Sequence, residues 1–418
     1  MIQKFVVENF GSIKEKLEIS FQASSLSDET YYQNVFKFKN SNFLKLVAFY
    51  GMNASGKSTI IRAFAALQEL IIPLPIGPVT PYLPFEFSNE TKSAPISLGI
   101  EFSPSNDEDA FAYKYLVTYD AKKIIYEKLE KMTSQKPSLI FSRTTNEKMD
   151  SELTIGASAS NHPLLQALKS SIVPNRTFLS MFATFKVADL FETYQFFATR
   201  LINISPEMNR FVDVVPTNLM NDESLKKFTI KLLQAAGFNI HNIHVEKKPK
   251  THVIANIPGF INETNALFLD HDGGSLEFIK ESLGTKKIII LAEHLYPALS
   301  KPSVMIIDEL ESSLHPELTK LILTCFLDET INPHYSQLIF SSHETTLLDL
   351  DLLRRDQIYF VYKDQKTCGT YIKSLKDFQV RKTESIEKSY LAGRYLTSPS
   401  IDEILVMSES ENDEQTNS

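Results

Sequence analysis

Apolar side chains recur along this chain with two periods, and the places where one gives way to the other divide it. Residues 2–7 read as a strand that turns at 9–12, and residues 17–21 alternate apolar and polar positions beyond it, which predicts a hairpin. Phe43 to Tyr50 is almost continuously apolar, as in a strand buried on both faces, and the hairpin is expected to pack beside it. Ile60, Ile61, Phe64 and Leu67 fall at helical spacing and predict a helix from Thr59 to Leu70, stopped by Pro73. Pro73, Pro75, Pro78, Pro81 and Pro84 exclude helix and central strand from the next stretch, which is expected to run along the surface. Period two returns at Ile96 to Phe102, Ala110 to Tyr119, Ile124 to Met132 and Leu139 to Phe141, the pattern of an antiparallel meander.

From about His162 to Phe238 the spacing is helical, and a helix from Glu223 to Ala236 ends at Gly237. The phenylalanines of this region, Phe178, Phe182, Phe185, Phe191, Phe196 and Phe197, are expected in the core. Strands follow at Ile240 to Ile257 and Ala266 to Leu269, with Lys247, Lys248 and Lys250 expected in a solvated turn between them. The remainder reads as a helix around Ile288 to Ala292, a strand Val304 to Ile307, a helix Glu317 to Leu327, strands Gln337 to Phe340, Gln357 to Lys363 and Thr370 to Leu375, and a closing helix.

Chemistry enters at the junction of the apolar strand and the first helix. Gly51-Met52-Asn53-Ala54-Ser55-Gly56-Lys57-Ser58 fits G-x-x-x-x-G-K-[ST] at each defined position, and Thr59 opens the helix behind it. Glycines at both ends let the backbone wrap a phosphate chain while amides and the helix N-terminus point at its charge. Lys57 is then expected on the β- and γ-phosphates and the Ser58 hydroxyl on Mg²⁺. Ser282 and Gly284 stand at or just before another predicted helix start. Val304-Met305-Ile306-Ile307 delivers Asp308 and Glu309 at a strand end, where one carboxylate suits the metal and the other an attacking water. His343 ends the next strand. His241, His244 and Asp270-His271-Asp272, the last read as a turn, lack further residues spaced to complete a metal site.

Composition narrows the class. With 418 residues, 43% hydrophobic and 22% charged, the chain can bury two or three packed units. Two cysteines, Cys325 and Cys368, give no disulfide framework, and no apolar run approaches a membrane span, so a cytoplasmic protein off the membrane is expected. A net charge of -8 disfavours generic affinity for nucleic acid.

The order of Gly51 to Ser58, Ser282-Leu283-Gly284-Thr285, Asp308-Glu309, Ser312-Ser313-Leu314-His315 and His343 resembles an ABC-type ATPase head of the SMC, RecF and OLD kind. Val7 to Ile13, Glu281 to Thr285, Asp308 to Pro316 and Tyr390 to Tyr395 are most similar to the compact stand-alone ABC-like ATPases of prokaryotic anti-phage, abortive-infection systems. The resemblance implies an α/β fold, an ABC-type head with a mixed sheet around the P-loop, an antiparallel β subdomain and a helical insertion. It also implies a homodimer with ATP and Mg²⁺ sandwiched between subunits. Gly51, Asn53, Ala54, Ser55, Gly56, Lys57, Ser58 and Thr59 would hold the nucleotide of their own subunit, while Ser282 and Gly284 would touch the partner's γ-phosphate. Ser58 and Asp308 would serve the metal, Glu309, His343 and Lys57 catalysis, and Ser312 and Ser313 the D-loop. The family's Q-loop glutamine has no counterpart after the P-loop helix, where Phe85 or Glu86 stands.

The expected division is an ATPase lobe at 1–156, a mainly helical insertion at 157–262, a second lobe at 263–378, a C-terminal helical segment at 379–407 and a disordered acidic tail at 408–418. Fewer than eighty residues follow His343, too few for the nuclease domain of longer relatives. The expected function is a molecular switch in anti-phage defence that controls a separately encoded effector, a nuclease or toxin. The alternative is a RecF-like DNA-binding repair ATPase using Lys247, Lys248 and Lys250.

Overall fold

The computed structural model describes residues 1–25, 33–72, 81–107, 109–133, 136–157, 165, 172–181, 188–204, 217–249, 263–312, 314–380 and 384–395. Pro73, Pro75, Pro78, Phe182, Phe185, Lys250, Ser313 and the acidic tail lie outside them. In chain order the strands are β1 (Ile2–Glu8), β2 (Leu17–Ser20), β3 (Val35–Phe38), β4 (Ser41–Leu44), β5 (Leu46–Tyr50), β6 (Ile96–Phe102), β7 (Ala112–Tyr119), β8 (Ile124–Met132) and β9 (Ser138–Thr145). They continue with β10 (Ser151–Ile155), β11 (Leu201–Ile204), β12 (Ile240–Pro249), β13 (Glu263–His271), β14 (Gly274–Glu277), β15 (Val304–Ile307), β16 (Gln337–Ser342), β17 (Ile358–Lys363) and β18 (Thr370–Ser374).

Two sheets carry the architecture, and the expected α/β class is observed. A six-stranded sheet runs β11-β15-β16-β5-β17-β18, with only β18 antiparallel to its neighbour. A seven-stranded antiparallel sheet runs β10-β9-β8-β7-β6-β1-β2. The central strands of the mixed sheet are apolar on both faces because both are covered. Val47, Phe49, Val304, Ile306 and Ile339 join the core shared with the antiparallel sheet and the P-loop helix Lys57–Ile71. Leu46, Ala48, Met305, Ile307, Leu338 and Phe340 face the other way, onto the helices Leu283–Leu299 and Pro316–Leu327. Burial is worth about 1.5–3 kcal/mol for each large side chain, and here it acts on both faces of the central strands.

Several expectations are corrected by pairings between distant segments. The N-terminal hairpin joins the antiparallel sheet through β1 and β6, and meets the P-loop unit by packing, with the rings of Phe5 and Phe64 stacked 3.7 Å apart. The apolar run expected as one strand from Phe43 breaks at Lys45, with β4 pairing to β3 and β5 entering the mixed sheet. Lys45 is wholly buried, and its ammonium donates to Leu327 O at 3.2 Å and lies 3.5 Å from Glu329. Within the expected helical region, Leu201–Ile204 is a strand on the edge of the mixed sheet, parallel to β15. Phe178, Phe196 and Phe197 are buried, with Phe196 stacked 4.3 Å from Phe102 and Phe178 4.8 Å from Phe141.

Lys247 and Lys248 lie on β12 instead of in a turn, and Lys248 donates to Glu277 at 2.8 Å. β12 pairs antiparallel with β13, from Ile240 opposite His271 to Pro249 opposite Glu263. Asp270 and His271 close β13, so that only Asp272 and Gly273 form the turn. His241 pairs with Asp272, and His244 with Asp270 and Glu246. Among the described residues no helix is long and apolar enough to cross a membrane.

Candidate active site

β5 is buried along its length and hands the chain directly to Gly51. A Cβ at Gly51 would lie 2.2 Å from Val361 O, so only glycine lets the loop leave the sheet beside β17. Ala54 and Gly56 both have positive φ, at 61° and 111°, and between them they turn the loop into the helix. The helix start at Gly56 has no side-chain cap and no acidic residue in its first turn. Its N–H groups and dipole are therefore directed at the concave side of the loop, which favours an anion there. By contrast, Ser282, His315 and Asp222 each cap their helices with their own side chains.

Lys57 is buried and donates to Gly51 O at 2.8 Å and Met52 O at 3.0 Å, spanning the loop it terminates. Burial lowers its pKa to about 8, against the raising influence of Asp308, Glu311 and Glu309. Ser58 and Asn53 are exposed, whereas the Ser55 hydroxyl is buried without a hydrogen-bond partner among the described residues. The loop is braced from behind: Thr370 Oγ1 lies 2.9 Å from Ser55 O and 2.7 Å from Ser12 Oγ, and Ser12 Oγ lies 3.0 Å from Thr59 Oγ1. A Cβ at Gly56 would sit 2.1 Å from Thr370 Oγ1. Gly56→Ala is therefore expected to lower stability by about 1–3 kcal/mol, from the clash and the left-handed φ together. Unchanged denaturant unfolding of that variant would show that the loop has room to give.

The carboxylates stand on the neighbouring strands. Asp308 leaves β15 buried and accepts a hydrogen bond from the Ser341 hydroxyl, and the Glu309 N–H donates to the same Ser341 oxygen at 2.8 Å. Leu310 N–H donates to Ser341 O at 3.1 Å, so one serine on β16 fixes three consecutive residues. Glu309 holds φ at 52°, uncommon for a residue with a Cβ and characteristic of positions over-determined by their surroundings. His343, just past β16, donates its N–H to Glu311 Oε1 at 2.7 Å. Desolvation, and next the Lys57 charge, hold the His343 imidazole below its usual range, opposed by Glu311, Glu309 and Asp308. Lys57, Asp308, Glu309, Glu311 and His343 are thus in mutual electrostatic contact at the ends of three adjacent strands.

Ser282 is the N-cap of the helix Leu283–Leu299, accepting from Thr285 N–H at 3.1 Å, and Gly284 is its second residue. Both are accessible, and among the described residues, beyond its own stretch of helix backbone, a Cβ at Gly284 would meet only Ser282 Oγ, at 3.8 Å. No hydrogen bond among the described residues joins Ser282 or Gly284 to the P-loop. The same helix brings Lys287 toward the carboxylates: burial lowers this lysine to about 8, while Glu311 and then Glu309 pull it up. Ser312 N–H donates to Glu309 O at 2.9 Å, which makes the turn after the carboxylates part of the same unit. Phe85 is buried, with its N–H on Asn9 Oδ1 at 3.1 Å, and Glu86 is exposed beside it.

The residues that sequence reasoning left without a role are Ser341, Glu311, Lys287, Ser12 and Thr370. Only Glu311 carried a local signal, as a third acidic residue two positions after Glu309. The others are hydroxyls, with partners 32 to 358 positions away, and an amine drawn toward Glu311 and Glu309.

Comparison with known proteins gives one family match and a set of distant structural likenesses. Residues 46–349 match the family described as "AAA domain, putative AbiEii toxin, Type IV TA system". No curated protein matches the chain. Among solved structures, an Smc head bound to the C-winged helix domain of ScpA shares 14% identity at a TM-score of 0.46, over 90% of this chain and 98% of that one. The SMC head domain from Thermotoga maritima shares 11% identity at a TM-score of 0.41, over 89% and 98%. A Pyrococcus furiosus Smc head with an extended coiled coil, bound to the C-terminal domain of ScpA, shares 13% at 0.43, over 90% and 97%.

Proposed function

The chain belongs to this AbiEii-type family of AAA domains, and from that premise we propose that it binds and hydrolyses ATP as a dimeric molecular switch in cellular defence. The observation that carries the reading is the convergence, at the ends of three adjacent central strands, of an uncapped helix start behind Gly56, the buried Lys57 ammonium, Asp308, Glu309 and His343. The donor set suits a metal-bound triphosphate: an exposed Ser58 hydroxyl opens the helix, and Ser341 orients the Asp308 carboxylate. Mg²⁺ held there by Ser58, with Asp308 behind it, would neutralise charge on the β- and γ-phosphates.

This chain's own residues do the rest. The amides of Gly51 to Thr59 and the Lys57 ammonium hold the phosphates, Glu309 orients and deprotonates the attacking water, and His343 contacts the γ-phosphate. Ser282 and Gly284, accessible and, among the described residues, without a hydrogen bond to their own P-loop, complete the site of a second copy together with Ser312 and Ser313. ATP then favours the closed dimer, and its cleavage removes that bias. The output is control of a separately encoded effector, a nuclease or toxin. The family's description as a toxin of toxin–antitoxin systems supports the defence setting.

The test is ATP turnover together with oligomer mass, with and without Mg²⁺ and with and without duplex DNA. Mg²⁺-dependent turnover and an ATP-dependent dimer are expected, and an inert monomer under all conditions would overturn the proposal. Retention of duplex DNA by the ATP-bound dimer would transfer the protein to the DNA-repair class. A pH dependence follows from Lys57. Its pKa in the nucleotide-free protein is lowered to about 8, so the charge needed for phosphate binding is present below that pH and lost above it. ATP affinity measured by equilibrium titration is expected to be level up to about pH 7.5 and then to weaken toward about tenfold per unit. Affinity that stays constant to pH 9.5 would show that burial does not depress the Lys57 ammonium in the nucleotide-free protein.

A further inference from the structure

We infer that Glu311 is a positioning residue, through which the turn after the paired carboxylates and the first turn of the Leu283–Leu299 helix are coupled to His343; the inference rests on the ATPase reading above. Three observations lead to it. The Glu311 Oε1 atom accepts the main-chain N–H of His343 at 2.7 Å, a contact between residues 32 positions apart. Its Oε2 atom is buried without a hydrogen-bond partner among the described residues, an arrangement that is unfavourable unless nearby positive charge offsets it. That charge is supplied by Lys57 and Lys287, and of the carboxylates acting on Lys287 and on His343, Glu311 acts most strongly.

The backbone around Glu311 is closed on both sides. Leu310 N–H donates to Ser341 O at 3.1 Å, Ser312 N–H to Glu309 O at 2.9 Å, and Leu314 N–H to Glu311 O at 2.8 Å. The side chain therefore cannot turn away without releasing the His343 main chain, nor can the turn shift as a body without carrying His343 with it. Lys287 lies one turn into the helix that begins at Ser282, so the same carboxylate also feels any displacement of that helix start. Closure of a second copy onto Ser282 and Ser312 would thus be felt at His343 through one side chain. The paired residues Asp308 and Glu309 are held instead by Ser341, which leaves Glu311 a separate function.

The test compares Glu311→Ala, Glu311→Gln and His343→Ala, singly and as the Glu311→Ala/His343→Ala pair, in the full chain. Glu311→Ala is expected to lower kcat for ATP about tenfold to hundredfold with KM within about threefold, since it removes orientation in the transition state and not ground-state binding. Glu311→Gln keeps a carbonyl acceptor for the His343 N–H and is expected to recover at least half of that loss on a logarithmic scale. The double variant is expected to be no slower than His343→Ala, because both act through one group. Hydrogen exchange of the peptide containing His343 should speed up in Glu311→Ala and remain near wild type in Glu311→Gln. Wild-type turnover in Glu311→Ala, or losses that multiply in the double variant, would overturn the inference while leaving the ATPase reading intact. Absence of turnover in the unmodified chain would overturn that reading itself.

Discussion

Glu309→Gln is expected to retain ATP binding within about threefold and to lose turnover by about 10²–10⁴-fold, the usual contribution of a general base. Gln has the same length and shape, so the main-chain bond from Glu309 N–H to Ser341 Oγ at 2.8 Å and the left-handed φ of 52° should survive the change. What is removed is the charge that accepts a proton. With cleavage blocked, the ATP-bound state persists, and the variant should be isolated as a dimer at protein concentrations where the wild type returns to monomer after its ATP is spent. The two readouts separate the possible failures. Wild-type turnover would dismiss Glu309 as the base, and lost turnover without a trapped dimer would dismiss the sandwich. Glu309→Gly provides a control on geometry: it relaxes the φ strain, so its stability should not fall, yet its turnover should be lost as completely.

The second large effect concerns stability, at a cluster far in sequence from the P-loop. Glu127 on β8 and Arg143 on β9 are both completely buried, with the guanidinium 3.8 Å from the carboxylate. Neither is merely half of an ion pair. Glu127 accepts the N–H groups of Phe178 at 2.6 Å and Leu179 at 3.1 Å and the Tyr115 hydroxyl at 2.9 Å. Arg143 donates to the carbonyls of Arg176 at 2.5 Å, Pro174 at 3.0 Å and Val173 at 3.1 Å. Burial pushes the Glu127 carboxyl up, while Arg143 and these three donors pull it down. The pair fastens the polar backbone of 173–179 to the antiparallel sheet. Glu127→Ala removes the acceptor of two amides and of the Tyr115 hydroxyl and the counter-charge of a buried guanidinium, and about 3–5 kcal/mol of unfolding free energy is expected to be lost.

The double change Glu127→Leu with Arg143→Met distinguishes the two roles. Replacing a simple buried ion pair by apolar residues is often nearly neutral. Here the backbone groups of both flanks would be orphaned, so the double variant should be less stable than either single one. Denaturant unfolding decides between them, and recovery in the double variant would reduce the cluster to an ion pair.

Much of the candidate site was legible in the sequence because its signals are local. The P-loop is a contiguous run readable from its own spacing, and the structure needs glycine at Gly51 and Gly56, although the atoms that crowd them, Val361 O and Thr370 Oγ1, come from the far end of the chain. Ser282 was readable as a helix start because capping is settled within one turn, and it does cap Leu283–Leu299. Asp308 and Glu309 were marked by the end of a four-residue apolar strand. Period two located the meander strands, and helical spacing correctly assigned Phe178, Phe196 and Phe197 to the core.

What the tertiary structure decided is which of these pieces meet. A half-buried strand pattern states that a partner exists without naming it, so β1 could be matched to β6 or to the P-loop strand equally well. Four residues at Leu201–Ile204 carry too short a pattern to distinguish an edge strand from a helix end, and only the open side of β15 selected the strand. Lys45 divides an apolar run because a carbonyl at Leu327, 282 positions away, accepts its ammonium. Ser341 beneath the carboxylates, Thr370 beneath the P-loop and Glu311 on His343 belong to the same class. Serine, threonine and glutamate are compatible with a solvated surface wherever they occur along a chain. They become site residues only when folding brings a particular donor or acceptor within 3 Å or so and removes water from between them.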